Sequence, residues 1–158
     1  MIRTLIIAAA IGGGWQFETA NDPLGQPVYV ASVTPDAGRP YVNLTFSCGG
    51  IVGVVLQFNL GEIRYAGAAF SRREPEFEDV RFSFAEGKYD TTAKRAPITD
   101  GIATYEIKGS EAAFVAGLLK DSESVVVSRD DISFTFPLAG ARFAIDEVIS
   151  ACPFKYRD

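Results

Sequence analysis

Tyr41-Val42-Asn43-Leu44-Thr45-Phe46-Ser47-Cys48-Gly49-Gly50-Ile51-Val52-Gly53-Val54-Val55-Leu56-Gln57-Phe58-Asn59-Leu60 is the stretch that decides the fold class. Val42, Leu44, Phe46 and Cys48 alternate with Tyr41, Asn43, Thr45 and Ser47, which is the period of a half-buried strand. Gly49-Gly50 is a hairpin signal, and Ile51 to Leu60 is apolar almost throughout. That run predicts a central strand covered on both faces.

The same grammar extends outward in both directions. Trp15 to Thr19 reads as a short strand, Asn21 to Pro27 as a cluster of turn formers, Val28 to Val33 as a strand and Pro35 to Pro40 as the next break. Downstream, Glu62 to Ala66 reads as a strand and Ser71 to Glu76 as a loop. Val80, Phe82 and Phe84 alternate with Asp79, Arg81 and Ser83, which gives another strand. Lys88 to Asp100 is polar and contains Pro97, so it reads as a long exposed loop before a strand over Gly101 to Ile107.

Two helices follow from a change of period. Phe114, Val115, Leu118 and Leu119 form a stripe at three- and four-residue spacing over Glu111 to Lys120, with Ser110 placed to cap it. Ser124 to Ser128 and Asp131 to Leu138 return to strand across an Arg129-Asp130 turn, with Ile132, Phe134, Phe136 and Leu138 inward. Gly140 breaks that strand. Ala141, Ile145, Val148, Ile149 and Cys152 then share one face of a helix that Pro153 ends. The chain is therefore expected to be mainly β, an antiparallel sheet or sandwich with two short helices at about 111–120 and 141–151.

With 158 residues, 47% of them apolar and 22% charged, the chain fits a single globular domain over 15–158. A net charge of −5 argues against nucleic acid and against a polybasic membrane patch. Residues 1–14 carry Arg3, an apolar run from Leu5 to Ile11 and Gly12-Gly13-Gly14, the ingredients of a short export signal. Cleavage near Gly14 and retention as a buried apolar strand are both open. The run is too short to span a bilayer, which takes about 20 apolar residues.

No histidine occurs in the sequence. Ser-His-Asp and Cys-His catalysis are thereby excluded, and so is imidazole ligation of a metal. Cys48 and Cys152 are too far apart for a CxxC redox or zinc motif. Alternation turns Cys48 inward and helical periodicity turns Cys152 onto the apolar side of the last helix. A structural disulfide is the reading preferred over two buried thiols, and it fits an oxidising compartment.

Other clusters have plainer explanations. Glu74, Glu76, Glu78 and Asp79 offer carboxylates for a cation or an acid/base pair, but alternate positions along a strand place the three glutamates on one solvated face. Asp130-Asp131 suits a hairpin turn. Asn43-Leu44-Thr45 matches a glycosylation sequon inside a strand and is read as coincidence. Tyr41, Tyr65, Phe70 and Phe77 could line an aromatic groove, although core filling accounts for most such rings. Lys88, Lys94 and Arg95 make the long loop basic against an acidic background, which marks it as the candidate partner-binding loop. No cofactor is expected.

Trp15, the Asp22-Pro23-Leu24-Gly25 turn, Leu44-Thr45-Phe46-Ser47-Cys48, Phe136-Pro137-Leu138-Ala139-Gly140 and Ala151-Cys152 occur in an order that resembles the periplasmic accessory proteins associated with type VI secretion and related uncharacterised exported bacterial proteins. The segment Phe114 to Val127 resembles the helix and apolar strand that precede the closing motif in such proteins. The resemblance implies a non-catalytic periplasmic or secreted domain that binds or helps assemble protein or envelope components. The chain departs from the pattern in its short export segment and in the Lys88 to Asp100 stretch. The alternative is a structural subunit of a larger secretion or virus-particle assembly, with the apolar N-terminus retained and packed into a neighbour. An enzyme built on carboxylates is the least supported class.

Overall fold

In a computed structural model the described residues are 14–35, 39, 41–60, 77–96 and 103–152, together with the backbone of 5–7. They form ten strands and two helices: β1 (Leu5–Ile7), β2 (Gln16–Asn21), β3 (Pro27–Val33), β4 (Val42–Gly49), β5 (Gly53–Leu60), β6 (Phe77–Phe84), β7 (Gly87–Arg95), β8 (Tyr105–Lys108), α1 (Gly109–Lys120), β9 (Ser124–Arg129), β10 (Ile132–Pro137) and α2 (Ala141–Ala151). The sheet-or-sandwich alternative resolves to one antiparallel sheet, in the order β1-β2-β3-β4-β5-β8-β7-β6-β9-β10.

Alternation sets which face each strand buries. Leu44, Phe46 and Cys48 of β4 lie inward beside Leu56 and Phe58 of β5, and across the sheet Phe82 and Val127 continue the same layer. Phe58 stacks on Tyr105 at 5.3 Å and meets Phe82 edge-on at 5.7 Å. Full burial of each such ring stabilises the fold by roughly 1.5–3 kcal/mol. Helix α1 lies over β5 and β8, α2 lies over β2, β3 and β4, and the two helices touch. Lys120 and Asp146 form an ion pair between them.

The sheet curls around this core. Trp15, just ahead of β2, is buried and donates its indole N–H to the carbonyl of Pro137 at the end of β10, at 2.8 Å. Strands far apart in sheet order are thereby brought together. Gly140 is left-handed (φ 83°), which lets the chain leave β10 and enter α2 beside Trp15.

Several expectations need correction. Ile51 and Val52 are not strand: they sit in the β4–β5 turn, because the register closes at Gly49 opposite Gly53. Beyond that turn β5 is half-covered rather than covered on both faces. Val54, Leu56, Phe58 and Leu60 are buried, Gln57 and Asn59 only partly, and Val55 is the buried exception on their side. The stretch read as a long loop from Lys88 is strand β7 as far as Arg95, with Tyr89, Thr91 and Ala93 more buried than Lys88, Asp90, Thr92 and Lys94. Its inner positions are short or polar, so the period of two is weak in hydrophobicity although present in burial.

Helix α1 starts at Gly109, with Lys108 at the cap position and no side-chain cap, so Ser110 does not cap it. Gly109 at φ 70° makes the turn from β8 into helix by backbone geometry alone. Its buried stripe is Ala112, Val115, Ala116 and Leu119, and Phe114 is left outside. The expected Glu62 to Ala66 strand, the Ser71 to Glu76 loop, residues 97–102 and Pro153 lie outside the described residues.

Candidate functional site

The displaced Phe114 lines an apolar cleft. Because the small Ala112 and Ala116 let α1 sit close to the sheet, Phe114 is turned outward and is 54% exposed. Leu118, four residues on, lies one turn along the same edge. The β6–β7 hairpin, closed by Phe84 opposite Gly87, brings Phe84 and Tyr89 up to this edge. The result is a cleft of about 440 Å³ with a mainly apolar lining, in which Phe84, Tyr89, Phe114 and Leu118 are joined by Glu86, Lys88, Asp121 and Ser122.

Its walls are held by polar contacts outside the apolar surface. The Tyr89 hydroxyl donates to Glu111 at 3.0 Å, Thr91 donates to the same carboxylate, and the Tyr89 ring lies 5.3 Å from that of Phe114. Burial, followed by the hydrogen bond to Glu111, pushes the Tyr89 phenol above its ordinary value. It therefore stays a donor at neutral pH. Ser122 donates to the Leu118 carbonyl, and Asp121 takes a 2.6 Å bond from Arg142 of α2.

A second, polar groove of about 740 Å³ runs along Asp79, Arg81, Asp90, Thr92, Ser128 and Asp130. Arg81 crosses it with two bonds to Asp90, at 2.6 and 3.0 Å. Those bonds hold the Asp90 carboxyl below its ordinary value and raise the guanidinium. Asp130 occupies the β9–β10 turn with φ 49°, in keeping with turn chemistry at Asp130-Asp131.

Glu78 does not lie on a solvated face. It forms a two-pronged pair with Arg129, at 2.7 and 3.1 Å, and both side chains are only 11% exposed. Burial pushes the Glu78 carboxyl up. The hydrogen bonds from Arg129, the neighbouring Tyr105 hydroxyl and the charges of Arg129 and Arg95 outweigh it and leave the carboxyl below its ordinary value. Glu74 and Glu76 lie outside the described residues. Among the described residues no group of three or more His, Cys, Asp and Glu is arranged to hold a metal.

The three basic candidates lie at opposite ends of β7. Lys88 lines the apolar cleft, whereas Lys94 stands opposite Glu106 and Arg95 opposite Tyr105 at the other end of β7, about 20 Å along an extended strand. Lys88, Lys94 and Arg95 therefore belong to a strand and not to a loop, with Lys88 at the cleft rim and Arg95 beside Glu78. Tyr41 and Phe77 are exposed, while Tyr65 and Phe70 lie outside the described residues. Cys48 and Cys152 are bonded, with Cα atoms 5.5 Å apart.

Sequence reasoning missed the cleft because it placed Phe114 in the core stripe. The available signal was Ala112-Val115-Ala116-Leu119, an equally periodic stripe of smaller residues. Among the described residues no helix is long and apolar enough to cross a membrane. Compared with known proteins, the chain matches no protein-family model, no curated protein and no solved structure.

Proposed function

We propose that the chain is a non-catalytic, exported binding or assembly domain that receives an apolar segment of a protein or envelope partner in the cleft between the β6–β7 hairpin and α1. The observation that carries this reading is Phe114, a large ring more than half exposed at the edge of a concave apolar cleft. Aromatic anchors in pockets are where binding energy concentrates. The disulfide supports an oxidising compartment, periplasmic or secreted.

Photo-crosslinking in the native cell tests the cleft. A photoreactive phenylalanine analogue at position 114 should yield a discrete adduct with one macromolecule. The same analogue at the exposed Glu147 of α2 should not. No adduct from position 114, or the same adduct from both positions, would overturn the assignment.

One observation favours the second reading, a structural subunit that keeps its apolar N-terminus. Leu5–Ile7 forms β1 and pairs with β2, Leu5 opposite Thr19 and Ile7 opposite Phe17. The intact mass of the native protein separates the two. A chain that has lost its first residues up to about Gly14 supports export by a cleaved signal, whereas one that retains Met1 supports the subunit.

A further inference from the structure

Strand β7 lies inside the sheet order, yet most of its length has a strand neighbour on one side alone. β6 pairs with it from Phe84 opposite Gly87 to Phe77 opposite Lys94. On the other side β8 accompanies it at Lys94 and Arg95 and then stops, because β8 ends at Lys108 and Gly109 turns the chain into α1. The N–H of Ala96 bonds the Thr104 carbonyl at 2.8 Å, which marks the even-numbered residues of β7 as those whose backbone groups point toward the β8 side. From Lys94 back toward the hairpin, the N–H and C=O groups of Thr92, Asp90 and Lys88 therefore face a side where no strand pairs among the described residues. All three residues are exposed, and the Thr92 carbonyl takes a long 3.5 Å contact from the Thr91 hydroxyl.

We propose that this open edge takes an extended segment of a partner protein as an added strand, with alternate apolar side chains entering the cleft beside it. The inference rests on the cleft reading and specifies the conformation of what the cleft receives. Edge and cleft are continuous: Gly87, Lys88 and Tyr89 line the cleft, and Phe114 and Leu118 of α1 form its opposite wall. A row of unpaired strand groups selects its occupant by hydrogen bonding, since an extended backbone presents donors and acceptors at the matching repeat. A helical segment or an acyl chain would cover the rings and leave that row unpaired.

Side-chain directions agree with a strand in this place. Tyr89 stands opposite the buried Phe82 and meets the Phe114 ring, so it faces the α1 side. Residues of an added strand in register with Tyr89 point the same way, onto Phe114 and Leu118, and those between lie beside Lys88 and Asp90 in the exposed row. Helix α1 does not fill the place: it lies over β5 and β8 and reaches β7 through the side chains of Glu111 and Phe114. Asp90 is held by Arg81, and the exposed Glu86 and Lys88 carry opposite charges. The backbone row, and not net charge, therefore chooses the partner.

Amide hydrogen exchange of the oxidised full chain, read by NMR, tests it, with the tightest-binding peptide selected on the protein from a random peptide library as the probe. Bound peptide should slow exchange of the Lys88 and Asp90 amides about tenfold or more. Lys88→Pro removes one edge donor that lies outside the β6–β7 ladder, so it should weaken the peptide about tenfold or more with the melting transition unchanged. Lys88→Ala keeps that N–H and should bind as the parent does. Failure to select any peptide would overturn the proposal. Unchanged exchange at Lys88 and Asp90, or equal binding to Lys88→Pro, would overturn the added strand and leave the cleft reading standing as long as the Phe114 crosslink persists. Protection of these amides that grows with protein concentration and needs no peptide would make a second copy the occupant, which also overturns it. Absence of the Phe114 crosslink removes the cleft reading itself, so the two failures are distinguishable.

Discussion

Reducing the Cys48–Cys152 bond should destabilise the domain by an amount that its place in the fold sets. Cys48 is fully buried on β4 opposite Tyr29, and Cys152 follows the last turn of α2. The bond closes a loop with a sequence separation of 104. In the chain-entropy model, freeing a loop of that length in the unfolded state costs about 4.7 kcal/mol at 25 °C, with native-state effects able to lower it. Domains of this size are stable by about 5–15 kcal/mol, so the loss is a third or more of the total.

Urea unfolding of the oxidised protein and of the same protein in excess reductant measures the difference without creating a cavity. The expected result is a midpoint shift equivalent to about 2–5 kcal/mol, with the slope altered because the reduced unfolded chain is more expanded. The loss should be global, since Ala141, Ala144, Ile145 and Val148 of α2 belong to the same buried cluster as the sheet. Coincident unfolding curves for the two forms would refute the reasoning. So would selective fraying of α2 with the sheet unchanged, because α2 would then not be part of the cooperative core.

Arg129→Met leaves Glu78 with its main partner gone and should cost about 3–5 kcal/mol, while the Glu78→Met/Arg129→Met double variant should recover most of that loss; urea unfolding of both reads the difference. Glu78 and Asp90 both have carboxyls lowered by folding, so their stabilisation is complete above the ordinary carboxylate range and is lost as pH falls through and below it. Unfolding between pH 6 and pH 2.5 should show this decline, and Glu78→Gln should flatten it. Gly50 has φ 60°, and a Cβ there would lie 2.7 Å from Asp22 Oδ2, so Gly50→Ala should cost about 1–3 kcal/mol by thermal or urea unfolding.

The antiparallel sheet was legible wherever apolar and polar residues alternate with large side chains, as in Leu44, Phe46 and Cys48 or Val80 and Phe82. The disulfide was legible for the same reason, since two independent periods aimed the cysteines at one core. Strand β7 was not. Tyr89, Thr91 and Ala93 have no common hydrophobicity, and only pairing with β6 and contact of Tyr89 and Thr91 with α1 make them an inner row. The curl of the sheet was also hidden, because the Trp15 bond to Pro137 joins residues that no local pattern relates. The apolar cleft depended on the rotation of α1, where two stripes fit the helical period and only packing against β5 chooses between them.

The charged groups bear on the non-catalytic reading through the direction of their shifts. A general acid or base at neutral pH needs a carboxyl raised toward 7, usually by burial without a partner. Glu78 and Asp90 are both displaced the other way, which makes them weaker bases and leaves them no proton to donate near pH 7. Glu111 is occupied by Tyr89 and Thr91, and Asp121 by Arg142. Glu111 and Asp121 brace the walls of the apolar Phe114 cleft, Asp90 ties β7 to β6 beside the polar groove, and Glu78 ties β6 to β9. The proposed binding role rests on Phe114, which stands outside the buried stripe of Ala112, Val115, Ala116 and Leu119 at the edge of the cleft that Glu111 and Asp121 hold.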